Sequence, residues 1–174
     1  RFVGINVCGH DAYKLGALPI QADAREALRA LTEAAAAAGV TPNAAYLEEV
    51  AAAKEKWQAH LKEDVFVSHP GEAMNQLHAI NVINESVRAG DTIIAAAGGP
   101  PGDLHQLWDT AGDKHCHLEF GYSCMGYEIP ASLGVRMAQQ DGEVYVFIGD
   151  GTYLMNPTEL VTAMQERLKI TLVI

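Results

Sequence analysis

From residue 64 onward, short apolar runs alternate with segments in which apolar residues recur every three or four positions. The runs are typical of buried strands and the other segments of amphipathic helices. The predicted strands begin at Asp91, His115, Glu143 and Ile170. The predicted helices are Glu72 to Arg88, Leu104 to Thr110, Gly126 to Gln139 and Pro157 to Leu168. Strands that alternate with helices pair in parallel, so we predict an α/β fold with a parallel sheet flanked by helices.

The first 63 residues have a different organisation. Phe2 to Val7 and Gly16 to Gln21 are predicted as extended segments, and a helix capped by Asp23 is predicted to end near Gly39. A second helix, from Pro42 to about Lys62, is charged on most sides, as expected of a linker on the surface. We therefore divide the chain into residues 1–40, 41–63 and 64–174.

The two ends of the sequence are strand-like. It begins without Met on "RFVGINV" and stops on "KITLVI", although natural termini are usually exposed and frayed. We expect the 174 residues to be an excerpt of a longer polypeptide.

Charge and composition exclude several classes of partner. The formal net charge is −10, which disfavours nucleic acid and anionic membrane surfaces as partners. No apolar stretch reaches the roughly 18 residues that a membrane span needs. Three scattered cysteines are too few for a disulfide framework, so we expect a cytoplasmic protein.

Two glycine-rich turns follow predicted strands, Gly98 to Gly102 and Gly149 to Gly151. In parallel α/β sheets, ligands bind outside the carboxyl ends of the strands, so we expect Gly99 and Gly149 to Gly151 at the ends of neighbouring strands. Consecutive backbone N–H groups in such turns can bind an anion, but Asp150 between two glycines would repel a phosphate. A Mg²⁺ ion, which accepts one carboxylate together with phosphate oxygens, would remove the conflict. Beyond the turn, Asn156 and Glu159 are predicted to cap the next helix, with Pro157 at its first position. Gly-Asp-Gly is also a common turn, in which Asp150 would be only a local cap.

The surrounding segments resemble one enzyme family. "GDGTYLMNPTEL" resembles the metal-diphosphate motif of thiamine diphosphate-dependent enzymes, and "YSCMGYEIPASLG" resembles the family segment in which a bulky residue precedes a glycine. The resemblance covers about Asp64 to Ile174, as a truncated diphosphate- and Mg-binding domain. Residues 1–40 resemble the tail of the family's Rossmann-like central domain.

The resemblance implies roles for single residues. Asp150 would bind Mg²⁺, and the backbone of Gly149, Gly151 and Thr152 would meet the diphosphate and the metal shell. Met125 would wedge under thiamine diphosphate, although a Met in a core position is the ordinary alternative. Backbone groups of Ser123 and Met125 would meet the aminopyrimidine. A loop would close on the diphosphate, formed by Gly99, Gly102, Asp103, Leu104 and His105.

Within the family, "AAGGPPGDLHQLW" and "HLEFGYSCMGYEIPASLG" most resemble the hydrolases of inositol breakdown, which open a cyclic polyol 1,2-dione. Acetolactate-synthase-like enzymes are the alternative, but they usually carry a Gly-Gln-His type loop and a Gly in place of Glu128. A domain that kept the fold without the cofactor is a further alternative. Zinc could be bound by His115, His117 and Cys124, but no fourth ligand has a recognisable spacing.

The family resemblance also implies that part of the site lies outside these residues. A Glu of another domain would activate the aminopyrimidine, usually across a subunit interface, so a homo-oligomer is expected. A second metal ligand, an Asn, would fall just beyond Ile174. We therefore expect residues 1–174 alone to show neither turnover nor saturable cofactor binding.

Overall fold

The computed structural model describes residues 2–119 and 121–174. Phe120, the last residue of a predicted strand, lies outside the described residues. The chain forms two compact units, one ending at Lys56 and the other beginning at Trp57.

The first unit contains two short parallel strands, two helices and most of a third helix. Its elements are β1 (Val3–Asn6), α1 (Gly9–Ala12), β2 (Leu18–Gln21) and α2 (Ala24–Ala37). β1 and β2 pair in parallel, with Val3 opposite Leu18. The predicted cap of α2 is confirmed, because the Asp23 carboxylate accepts hydrogen bonds from the N–H groups of Arg25 and Glu26.

The next helix, α3 (Ala44–His60), confirms the predicted surface helix and passes into one π-helical turn, Leu61–Val65. Each residue of α3 is exposed, as its evenly spread charges indicate.

A four-stranded parallel sheet forms the second unit, in the order β4-β3-β5-β6. The strands are β3 (Thr92–Ala95), β4 (His115–Leu118), β5 (Val144–Phe147) and β6 (Thr171–Val173). The helices are α4 (Gln76–Ser86), α5 (Pro100–Leu107), α6 (Glu128–Ala138), α7 (Asp150–Tyr153) and α8 (Glu159–Gln165). The predicted parallel α/β architecture is confirmed.

Helices cover both faces of this sheet. Alternate residues of a strand point to opposite faces, so β5 contributes to one apolar cluster on each face of the sheet, and every residue of β3 is buried. On one face, Ile93 and Phe147 pack with Ile80 of α4 and Leu104 of α5. On the other, Val146 packs with Ile129 of α6, and Leu160 of α8 lies against the same cluster. Both β3 and β5 are therefore buried between layers, which explains their continuous apolar sequences.

Three predicted boundaries are wrong. The segment predicted as a loop before Leu104 is helical from Pro100, because a proline at the first helical position is preset in φ and has no N–H to lose. The helix predicted from Glu72 begins at Gln76, where the Asn75 side chain accepts a hydrogen bond from the His78 N–H. The helix predicted from Pro157 begins at Glu159 without a side-chain cap, since the Asn156 side chain instead accepts from the Thr158 hydroxyl.

Within the described residues, no helix has both the length and the apolar character that crossing a bilayer requires.

Candidate functional site

Three segments singled out from the sequence follow three adjacent strands. The Gly98–Gly99 turn follows β3, the segment containing Ser123 and Met125 follows β4, and the Gly-Asp-Gly turn follows β5. Since β4, β3 and β5 are neighbours and run in parallel, the three segments leave the same edge of the sheet side by side. We call them the β3 turn (residues 96–99), the β4 loop (residues 119 and 121–127) and the β5 turn (residues 148–152).

The β3 turn leads directly into a helix. Gly98 has a φ of +83°, a left-handed conformation that glycine adopts at little cost, and Gly99 precedes the first turn of α5. Because Pro100 and Pro101 have no N–H, Gly102 is the first residue of α5 that can donate a backbone hydrogen bond.

Three other predicted site residues also lie on α5 rather than in a loop. Leu104 is fully buried in the apolar cluster, so its side chain is a core group. Asp103 accepts a hydrogen bond from the Gln76 side chain at 2.5 Å. His105 is exposed, about 7 Å further along the helix axis than Pro100, at 1.5 Å per residue.

The backbone of the β4 loop is held by two hydrogen bonds to the side chain of Glu119. Glu119 follows β4, and its two carboxylate oxygens accept from the backbone N–H groups of Tyr122 and Cys124, each at 2.9 Å. These hydrogen bonds from the loop backbone lower the pKa of Glu119. Between them, Ser123 has a φ of +51°, which is uncommon for a residue with a side chain.

The β5 turn begins a short helix, α7, with Gly149 before it. Asp150 is exposed and its carboxylate accepts a hydrogen bond from the adjacent Gly151 N–H at 2.7 Å. Thr152 is buried beneath the turn. The sequence did not predict α7, because four residues are too few for a periodic pattern.

Contacts join the β4 loop to both neighbouring segments. The Ser123 hydroxyl donates to the carbonyl of Ala96 at 3.3 Å. On the other side, a Cβ added at Gly151 would lie 4.0 Å from the Met125 Cε. Gly126, at φ +87°, packs so closely that an added Cβ would lie 3.1 Å from the Met155 Cβ. The fold thus brings Ser123 and Met125 together with both glycine turns.

Sequence reasoning missed the role of Glu128, which it used only to compare branches of a family. This first residue of α6 is fully buried, and its Oε1 accepts the Ala97 N–H at 3.0 Å. Its Oε2 is buried without a hydrogen-bond partner among the described residues. The sequence could have indicated this role, because Glu128 directly precedes the apolar segment "IPASLG". A charged residue at the start of a buried apolar helix needs a hydrogen-bond partner.

Both histidines of β4 contact other side chains. His117 contacts the Tyr127 hydroxyl at 2.7 Å and His115 lies 3.2 Å from Asp113. No group of three or more His, Cys, Asp or Glu residues in the described part of the chain could hold a metal ion.

Comparison with known families identifies the class of protein. Residues 96–174, which include all three segments, match the family described as thiamine pyrophosphate enzyme, C-terminal TPP binding domain. Residues 96–174 therefore belong to the C-terminal, thiamine pyrophosphate-binding domain family of these enzymes.

Similar curated proteins share one enzyme name. The chain is 37% identical to 3D-(3,5/4)-trihydroxycyclohexane-1,2-dione hydrolase 2 of Bacillus cereus (strain ZK / E33L), over all of this chain and 30% of that protein. It is 36% identical to the hydrolase of the same name, without the final numeral, from Shouchella clausii (strain KSM-K16), over 99% of this chain and 30% of the relative. The corresponding Clostridium perfringens (strain 13 / Type A) protein is 34% identical, with the same coverage. The chain spans about 30% of the length of these relatives.

Proposed function

We propose that the protein acts as a thiamine diphosphate- and Mg²⁺-dependent hydrolase that opens a cyclic trihydroxy-1,2-dione during inositol breakdown. The observation that carries the proposal is whole-chain similarity to hydrolases named for this substrate. The convergence of three motif segments at one sheet edge supports it independently.

The residues at this edge fit a bound diphosphate and a metal ion. An added Cβ at Gly149 or Gly102 would meet no described atom within 4 Å, so the backbone is open to a close approach there. Asp150 is exposed and places one carboxylate at the same edge, which is an ordinary protein share for Mg²⁺ beside phosphate oxygens. A glycine turn with one carboxylate suits the metal-diphosphate pair better than a free anion.

In this proposal each segment has a binding task. Asp150 would bind Mg²⁺, and the backbone of Gly149, Gly151 and Thr152 would meet the diphosphate. Gly99 would approach it from the β3 turn and Gly102 from the first turn of α5, with Asp103 and His105 further along that helix. Met125 would support the cofactor from below, and backbone groups of Ser123 and Met125 would orient its aminopyrimidine.

Thiamine diphosphate, when bound, supplies a nucleophilic carbon that allows a C–C bond beside a carbonyl to break. The overall reaction consumes one water and converts the cyclic dione into an open-chain deoxyglucuronic acid. The contribution of the described residues is to hold the cofactor in one orientation and to compensate the diphosphate charge. We further propose that the protein is cytoplasmic and works as a homo-oligomer.

A substrate comparison tests this function. The full-length protein, with thiamine diphosphate and Mg²⁺, is incubated with the trihydroxycyclohexanedione or with pyruvate, and the products are followed by NMR. We expect the open-chain acid from the dione and no acetolactate from pyruvate. Acetolactate formation without ring opening would assign the protein to the synthase-like branch.

A further inference from the structure

We propose that Glu119 is a positioning residue of the cofactor site, whose carboxylate holds the β4 loop in the shape that presents Ser123 and Met125. This inference rests on the proposed function, because it assigns the loop to the aminopyrimidine side of thiamine diphosphate. Glu119 was not among the residues predicted from the sequence.

The backbone of Glu119 is fixed by the sheet. Its N–H donates to the Ala95 carbonyl at 3.1 Å, which extends the parallel pairing of β4 with β3 by one residue beyond Leu118. A side chain that starts from this point is anchored to the central strand. Any group that its carboxylate binds is therefore held at a defined distance from the end of the sheet.

What the carboxylate binds is the loop backbone itself. The Oε1 atom accepts from the Tyr122 N–H and Oε2 accepts from the Cys124 N–H, both at 2.9 Å. Hydrogen bonds to an ionised acceptor are about twice as strong as neutral ones. Two such bonds from residues on either side of Ser123 fix the direction of the chain at that residue.

Ser123 needs this support. A left-handed φ of +51° is strained for a non-glycine residue and persists only where the surrounding structure enforces it. In this conformation the Ser123 hydroxyl reaches the Ala96 carbonyl, and Met125 reaches the side of Gly151. The carboxylate of Glu119 thus acts through Ser123 and Met125 and has no contact of its own with the β5 turn among the hydrogen bonds of the described residues.

The substitution Glu119→Gln tests the proposal in the full-length protein. The glutamine has the same size, but its amide nitrogen cannot accept, so one of the two loop N–H groups would face a donor. The matched control is Glu143→Gln, whose carboxylate pairs with Lys169 at the start of β5. Thiamine diphosphate affinity is measured by calorimetric titration with Mg²⁺, and the order of the loop by hydrogen exchange of the 121–125 segment without cofactor.

We expect Glu119→Gln to weaken cofactor affinity about tenfold or more and to speed exchange of the 121–125 segment. Its unfolding midpoint should stay close to that of Glu143→Gln, which should bind like the wild type. Cofactor affinity within twofold of the wild type, unchanged exchange, or a loss of affinity explained by a lower unfolding midpoint would each overturn the proposal.

A second variant separates loop shape from a general loss of stability. In Glu119→Gln/Ser123→Gly, the glycine takes a positive φ at little cost, so the loop should need the carboxylate less. We expect the double variant to recover a substantial part of the lost affinity, and no recovery would contradict the assigned route through Ser123. If the wild type itself binds no thiamine diphosphate, the proposed function fails, whereas the exchange comparison still tests the hold on the loop.

Discussion

At the scale of single residues, acidic side chains do three different things at one edge of the sheet. Asp150 is exposed at the β5 turn, and among the described hydrogen bonds its carboxylate accepts only from the neighbouring Gly151 N–H. Glu119 binds the loop backbone, and Glu128 is buried against Ala97. These surroundings leave the Asp150 carboxylate exposed, as its proposed role as a metal ligand requires, whereas both glutamates bind backbone N–H groups of the site segments.

Asp150→Ala should abolish measurable Mg²⁺-dependent binding of thiamine diphosphate to the full-length protein. Without the carboxylate, the charge of the diphosphate and metal pair would lose its protein partner, while an exposed turn residue contributes little to folding. Calorimetric titration measures the affinity, and thermal unfolding measures the fold. Asp141→Ala, which removes another exposed carboxylate of the same domain, should bind normally. Equal affinity in Asp150→Ala and the wild type would reduce Asp150 to a turn residue.

Cys116 should resist alkylation in the native protein. Burial raises the pKa of its thiol to about 11, so at pH 8 about one molecule in a thousand carries the reactive thiolate. Cys8 and Cys124 are exposed. After brief iodoacetamide treatment at pH 8, mass spectrometry should find label on Cys8 and Cys124, with Cys116 labelled only after unfolding. Early labelling of Cys116 would show that β4 opens readily.

At the scale of helices and strands, sequence patterns correctly predicted the elements that depend on burial and on interactions between residues close in the chain. β3 and β5 were recognised because both of their faces are buried, which leaves no polar alternation in the sequence. The helix predicted from Gly126 to Gln139 tolerates Pro130 because this residue lies in the first turn of α6, where its missing N–H costs nothing. The start of α5 was predicted wrongly because the Gly-Pro-Pro sequence was taken to indicate a loop. A proline is also typical of the first helical position, which is where Pro100 lies.

At the amino end of the central strands, one buried carboxylate makes two hydrogen bonds that the sequence did not predict. Asp91, just before β3, is buried, and its carboxylate accepts from the N–H groups of Arg88 and Glu143 at 2.8 and 2.7 Å. It therefore links Arg88, which follows α4, to Glu143, which directly precedes β5. This contact depends on a partner 52 positions away in the chain, which no local pattern indicates.

Asp91→Ala should lower the free energy of unfolding by about 2–4 kcal/mol, because two backbone N–H groups would lose a charged acceptor in a mostly buried position. Urea unfolding of the full-length protein measures the change. The control is again Asp141→Ala, for which we expect a change within about 0.5 kcal/mol. A loss below 1 kcal/mol for Asp91→Ala would mean that water or a shifted backbone replaces both bonds.

At the scale of the whole molecule, strand order decides whether a site exists. The sequence predicted the two glycine turns at the carboxyl ends of neighbouring strands, which the pairing of β3 with β5 confirms, but it did not predict that β4 would lie on the other side of β3. Long-range pairing energies select that order, and periodicity within a segment does not report them. The segment predicted as a loop from Gly99 to His105 is a second example. It is helical from Pro100, and Leu104 packs in the core, a contact that the local pattern does not indicate.

The central claim is that the β3 turn, the β4 loop and the β5 turn form one cofactor site. A crystal structure of the full-length protein with thiamine diphosphate and Mg²⁺ tests it most directly. We predict the diphosphate between Gly99 and Gly151, Asp150 in the metal shell, and Met125 against the cofactor. A diphosphate bound elsewhere, or a metal ion without Asp150 among its ligands, would contradict the account.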